Sequence, residues 1–280
     1  MNSTGQLLLL KVTLAPLLVA LASLAVRRFG SRIAGIIAAF PMVSGPVLYL
    51  FAVEQGRQFT SEAAHQTLFG TLSLVGYCLV YAIAANRFRS RWSPWLSLLF
   101  GWVAFLCLTL LLKNIAFPRW LGLPVALLSV VVGLKLLPHP SEVAREPLRN
   151  IRNDGKARAT RLLLYRMLSA AVLVYALSEA ARAIGPVYSG LLTPFPVAST
   201  VLVVTTHLEQ GREGLFGWLR GFMVGLFGYL AFIATVAWLI VPGGIAVTFT
   251  VGLLGALLVQ SVAQRPRFRR NALPPILPRR

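Results

Sequence analysis

Two proline-containing stretches are the part of this sequence best suited to bind a solute. They are residues 40–46 (FPMVSGP) and residues 193–200 (TPFPVAST), each inside a long apolar run. Proline lacks the backbone N–H and clashes with the preceding turn, so each stretch is predicted to break a helix. Freed carbonyls in apolar surroundings need polar partners. We therefore predict a substrate site at Pro41, Ser44, Gly45, Pro194, Pro196, Ser199 and Thr200. Ordinary proline kinks are the alternative.

Ionisable residues inside or at the ends of apolar runs are costly to bury and are candidates for gating or coupling. The candidates are Lys11, Arg166, Glu54, Glu209 and Glu179. Each also has a structural interpretation. Lys11 and Arg166 can extend to the nearest membrane interface. The three glutamates can pair with arginines three residues further along the chain, at positions 57, 212 and 182.

Catalytic chemistry is not indicated. The sequence has no P-loop, no HExxH, no GxSxG and no pair of acids spaced for a metal, and it contains eight acidic residues in total. We expect no enzyme activity, no metal and no cofactor. His207 is a weak candidate for proton coupling, while His65 and His139 are expected at interfaces or in loops.

Composition assigns the chain to the membrane. Of its 280 residues, 57% are hydrophobic and 12% are charged, with a mean hydropathy of +0.73. Soluble domains are about 25% charged. A helix needs about 20 apolar residues to cross the bilayer. Nine segments qualify, so the predicted fold is all-α with about nine transmembrane helices: 6–26, 33–53, 64–85, 93–112, 120–137, 162–183, 188–208, 216–241 and 245–263.

The net charge of +19 is placed as in a membrane protein rather than a nucleic-acid-binding one. Most basic residues fall in alternate loops and in the tail 265–280, which predicts an outside N-terminus and a cytoplasmic C-terminus. No basic region precedes the first apolar run, so that run is expected to remain as a span. The basic loops and tail are expected to contact anionic lipid.

An internal repeat organises the chain. Residues 7–57 align without a gap on 162–212, so that the string EQGR at 54–57 recurs at 209–212, an offset of 155. After a slip of three residues, Gly76-Tyr77 matches Gly228-Tyr229. Five spans separate the starts of the two halves, and an odd number inverts the second half. The predicted plan is 1–113 (four spans), 114–160 (linker helix and basic loop), 161–264 (four spans) and 265–280 (tail).

A short motif resembles a known family. Residues 34–41 (AGIIAAFP) and 189–196 (SGLLTPFP) resemble the AGLxPLFP segment of the small GlpM-like bacterial membrane proteins. The resemblance implies two fused half-units of about three spans each, in a bacterial inner membrane. The inverted two-half plan is also similar in outline to drug/metabolite transporters.

Broken helices at matching positions of inverted halves favour a secondary transporter for a small solute, working by alternating access. The competing hypothesis is a scaffold or accessory subunit that does not transport, with a basic tail that binds lipid or a partner. A homodimer is compatible with both. Deleting 265–280 separates them, because the scaffold needs the tail and the transporter does not.

Overall fold

The structure is a computed structural model that describes residues 30–115, 118–138 and 155–263. All regular elements in these ranges are helical, which confirms the all-α prediction for this part of the chain. The helices are α1 (Gly30–Ala38), α2 (Ser44–Glu54), α3 (Arg57–Arg87), α4 (Ser93–Leu112), α5 (Gly122–Leu136, after a 3₁₀ turn Arg119–Leu121), α6 (Gly155–Leu192) and α7 (Val197–Ala263).

Some predictions fall outside these ranges. The predicted span 6–26 with Lys11, most of the basic loop and the tail 265–280 are not among the described residues. Arg166 belongs to α6, but its side chain is likewise outside the described part.

Four helices in the described residues are long and apolar enough to cross a membrane: Arg57–Arg87, Ser93–Leu112, Arg119–Leu136 and Ser199–Ala263. The 20 residues of α4 match the roughly 30 Å hydrocarbon core at about 1.5 Å per residue. Leu99, Leu106 and Leu110 on α4 are exposed. Because so large an apolar surface suits lipid better than water, these helices indicate a membrane location.

The two longest helices are divided by glycines. With 67 residues, α7 would measure roughly 100 Å if it were straight. Non-helical backbone angles at Gly211 and Gly244 divide it into α7a (197–210), α7b (212–243) and α7c (245–263). Gly185 divides α6 into α6a (155–184) and α6b (186–192) in the same way. The helical pieces are therefore short enough to fold back on one another.

Gly56, which joins α2 to α3, and Gly211, which joins α7a to α7b, share one unusual backbone conformation. Their angles are φ 90°, ψ 168° and φ 63°, ψ −160°. Positive φ with extended ψ is a region that glycine alone adopts readily. These turns therefore depend on glycine.

The centre of the molecule is the antiparallel pair α3 and α7b. Arg57 at the start of α3 donates a hydrogen bond to the carbonyl of Val241, near the end of α7b, at 3.2 Å. Arg212 at the start of α7b donates to the side-chain oxygen of Asn86, near the end of α3, at 3.4 Å. Each helix therefore begins beside the end of the other.

Glycines bring two short helices close to this central pair. A β-carbon at Gly35 on α1 would overlap the backbone of Trp218 on α7b. A β-carbon at Gly190 on α6b would likewise overlap the backbone of Ala63 on α3. Any residue larger than glycine would force these helix pairs apart.

In the same two interfaces, the central helices α7b and α3 also contribute glycines that leave no room for a β-carbon. A β-carbon at Gly225 on α7b would lie 2.6 Å from the carbonyl oxygen of Ile36 on α1. One at Gly70 on α3 would lie 2.7 Å from the carbonyl oxygen of Leu191 on α6b and 2.9 Å from the ring of Pro194. Thus α1 is seated on α7b, and α6b on α3.

The outer helices α4 and α5 pack against α3. Thr109 on α4 donates to Ser73 on α3 at 3.0 Å. At the start of α5, Arg119 forms an ion pair with Glu62 on α3 at 2.9 Å. These contacts make α3 the helix around which the first part of the chain is arranged.

Candidate functional site

The helical path is broken at both proline stretches. Residues 39–43 separate α1 from α2, and residues 193–196 separate α6 from α7. The N–H of Phe40 closes a tight turn onto Ile37 at 3.1 Å, and the N–H of Phe195 closes one onto Leu192 at 2.9 Å. Since the prolines in each stretch cannot donate, the helix does not continue through it.

The two breaks meet. The Ser44 hydroxyl, at the start of α2, donates to the carbonyl of Thr193 in the other break at 3.3 Å. The same hydroxyl lies 3.1 Å from the hydroxyl of Tyr229 on α7b. Ser44 is 6% exposed and Tyr229 is 4% exposed. The first break is therefore linked to the second through buried polar groups.

The start of α7a has its own polar cluster. The hydroxyls of Ser199 and Thr200 both donate to the carbonyl of Pro196, at 3.3 and 2.6 Å. The indole N–H of Trp102, on α4, donates to the Thr200 hydroxyl oxygen at 3.3 Å. The Tyr77 hydroxyl on α3 lies beside Thr200 and makes no hydrogen bond of normal geometry. Three helices thus place polar groups here.

The remaining predicted binding residues serve packing at the breaks. Pro41 and Pro194 are buried, and the ring of Pro194 fits against Gly70. A β-carbon added at Gly45 would lie 3.7 Å from the Phe232 ring, which is an ordinary contact distance. These three shape the junction, while Ser44, Ser199 and Thr200 supply its hydroxyls.

The candidate gating glutamates lie away from this junction. Glu54, at the far end of α2, accepts a hydrogen bond from Ser178 on α6a at 2.8 Å, and Arg57 donates to the carbonyl of Val241. Glu209 at the end of α7a and Glu179 on α6a are exposed.

The two described histidines are buried in helices. His65 is inside α3 and 4% exposed. Its ring packs against Trp238 at 4.8 Å between centroids. His207, which is 7% exposed, places Nδ1 3.3 Å from the Tyr81 hydroxyl. Histidine is buried here because aromatic neighbours from other segments cover it.

Tyr77, Tyr229 and Trp102 belong to the site and were not predicted from the sequence. For the tyrosines a signal was present, because they form the matched pair Gly76-Tyr77 and Gly228-Tyr229 in the repeat. For Trp102 we find no such signal.

No family model, curated protein or solved structure matches the chain. The resemblance to GlpM-like proteins therefore stays an interpretation of a short motif. Among the described residues, no group of His, Cys, Asp and Glu side chains is arranged to hold a metal ion. The chemistry of the site has to be argued from its hydroxyl, indole and backbone groups.

Proposed function

We propose that this protein is a secondary transporter of a small solute, built from two inverted halves whose broken helices form a shared site. The contact between the breaks carries the proposal: Ser44 of the first half reaches Thr193 and Tyr229 of the second. A site divided between two halves can open to one side when the halves rock one way and to the other when they rock back.

Reciprocal contacts of the central helices support the inverted repeat. Arg57 contacts residue 241, and Arg212 contacts residue 86. The offset of 155 takes residue 57 to 212, and the offset of 152 that follows the slip takes residue 86 to 238, three residues from 241, so the two contacts are close counterparts. Counterpart helices running antiparallel are expected of inverted halves, whereas a parallel repeat would place them in the same direction.

The glycine contacts follow the same offset. The contact of Gly35 with Trp218 corresponds to the contact of Gly190 with Ala63, because adding 155 to 35 and 63 gives 190 and 218. The contact of Gly70 with residue 191 corresponds in the same way to that of Gly225 with residue 36. Because exchanging the two halves converts one interface into the other, the glycine contacts support a two-fold relation between the halves.

The pieces of α6 and α7 support the predicted number of spans. Eight of the nine predicted spans have a counterpart among the helical segments: α1 with α2, α3, α4, α5, α6a, α6b with α7a, α7b, and α7c. The first predicted span lies outside the described residues. In the proposal the chain crosses a bacterial inner membrane nine times, with its N-terminus outside and its basic tail in the cytoplasm, in contact with anionic lipid.

Reporter fusions test the inversion without a known solute. A periplasm-active and a cytoplasm-active reporter, each fused just after Gly56 and just after Gly211, are expected to place the two equivalent turns on opposite sides. Both reporters are used at each position, so that low activity of one must accompany high activity of the other. Finding both turns on the same side would make the repeat parallel and favour the scaffold.

Thiol labelling tests whether water reaches the junction. In the Cys107→Ala chain, Cys78 remains and is fully buried, so little labelling is expected. Adding Ser44→Cys places a thiol where the breaks meet, and a transporter is expected to expose it to a membrane-impermeant reagent from each side in turn. A scaffold is expected to leave this residue, 6% exposed in the structure, unlabelled from both sides.

A further inference from the structure

We propose that the junction of the two breaks binds a small anion with a single charge, through the Tyr77 hydroxyl and the first N–H groups of α7a. This inference rests on the proposed transport function and names the substrate class of the same site. From the sequence either sign is open, because half-helix starts favour anions whereas unwound carbonyls favour cations. The hydrogen bonds of the structure decide between them.

Three carbonyls at or just before the second break are already engaged within the protein. They accept hydroxyl hydrogen bonds, Gly190 from Thr67 at 3.0 Å, Thr193 from Ser44 at 3.3 Å and Pro196 from Thr200 at 2.6 Å. At the first break, the carbonyl of Ile36 accepts from Gln260 at 3.2 Å. A cation would have to compete with these donors for every such oxygen.

The start of α7a favours an anion. It follows four residues after Thr193, which Ser44 contacts. The start of α2 contributes little, because the Gly45 N–H donates to the carbonyl of Pro41 at 2.8 Å and Pro46 has no N–H. The first N–H groups of a helix have no partner within it, and the helix dipole makes this end positive. Helix starts of this kind are established anion sites.

An unsatisfied hydroxyl independently indicates a missing acceptor. Tyr77 is 1% exposed, and its hydroxyl has no hydrogen-bond partner although it lies beside Thr200 in the first turn of α7a. Thr200 donates to Pro196 and accepts from Trp102, and the Tyr77 hydroxyl is not placed to donate to its second lone pair with normal geometry. Because a buried hydroxyl without a partner is unfavourable, an anion at the start of α7a would complete its hydrogen bonding.

The charge of the site limits the ligand to one negative charge. Residues 33–53 and 186–208 contain no acidic residue that would repel an anion. Glu54 and Glu209 lie beyond them, at the far ends of α2 and α7a. The described groups of the site are neutral donors, with no cation to offset a second charge, and a divalent anion would be left poorly compensated.

Uptake by proteoliposomes containing the full chain tests the proposal. The probes are chloride and nitrate as inorganic anions, lactate and pyruvate as carboxylates, and sodium, choline and glycerol for comparison. We expect saturable uptake of one anion class. Tyr77→Phe removes one hydrogen bond to a charged ligand and is expected to lower that uptake at least about tenfold. Folding should tolerate the change, since this hydroxyl has no partner to lose.

The control is Tyr165→Phe, which removes an exposed tyrosine hydroxyl on α6a, 28 residues before Thr193, and should leave uptake unchanged. Equal uptake by the two variants would overturn the placement of the site. If the protein transports none of the anions, the anion assignment is overturned. Transport itself still stands if the protein takes up another probe or if Ser44→Cys is labelled from both sides. If nothing moves and Ser44→Cys resists labelling, the proposed function fails too.

Discussion

The double substitution Pro41→Ala and Pro196→Ala is expected to abolish solute flux and the labelling of Ser44→Cys from both sides. Alanine in a helix interior is about 3 kcal/mol more favourable than proline. The two changes together favour helical backbone at residues 41 and 196 by up to about 6 kcal/mol, and about 5.5 kcal/mol moves a two-state equilibrium from 1:99 to 99:1. Pro46 and Pro194 remain, so each break would move along the chain and the helix starts would no longer meet at Ser44.

Pro242→Ala is the matched control for this experiment. Pro242 is also inside a helix, near the end of α7b, but it is exposed and remote in sequence from both breaks. We expect its replacement to leave flux and labelling near the original level. Full flux in the double variant, measured in proteoliposomes with any solute that the unaltered chain moves, would show that the breaks are not needed for transport.

Gly35→Ala and Gly190→Ala are each expected to lower the free energy of unfolding by about 1–3 kcal/mol. Alanine improves helix propensity by up to about 1 kcal/mol, but the added carbon meets the backbone of Trp218 or Ala63. A backbone cannot rotate aside as a flexible side chain can. Overpacking therefore outweighs propensity at both positions. Denaturant titration of the purified protein in detergent, followed by circular dichroism, measures the change.

Gly255→Ala provides the control, because open space surrounds a β-carbon at this position of α7c. Without overlap, only the gain in helix propensity remains, and stability should stay equal or rise. Because the two halves are related, Gly35→Ala and Gly190→Ala are expected to lower the free energy of unfolding by similar amounts. If Gly35→Ala proved as stable as Gly255→Ala, the close packing of α1 on α7b would be wrong.

Alternating access would place specific demands on this architecture. The Ser44–Thr193 and Ser44–Tyr229 contacts join the halves at the junction, so rocking has to break or rearrange them. The α1–α7b and α6b–α3 interfaces also join opposite halves, and their tight glycine contacts would resist sliding. The proposal therefore predicts rotation of intact helix pairs about the junction instead of motion within each pair.

Local features of the sequence were enough to predict the helices and their interruptions. Apolar length identified the helical segments, because a segment in lipid must satisfy its own backbone hydrogen bonds. The breaks before Ser44 and before Val197 follow from prolines that lack an N–H, which is a property of the residue itself. The matched string EQGR pointed to two related turns, and Gly56 and Gly211 share the conformation that glycine permits.

The partners across the site were decided by tertiary structure alone. Ser44 lies 149 residues from Thr193 and 185 from Tyr229, and Trp102 lies 98 from Thr200. Helices in lipid carry little amphipathic pattern, because lipid tails are as apolar as a protein core and the buried face of a helix resembles its exposed one. Sequence could therefore locate the helices and breaks of this protein. The repeat marked Tyr77 and Tyr229 without showing what they contact. Which faces meet depends on close packing between glycines and backbones that no local pattern records.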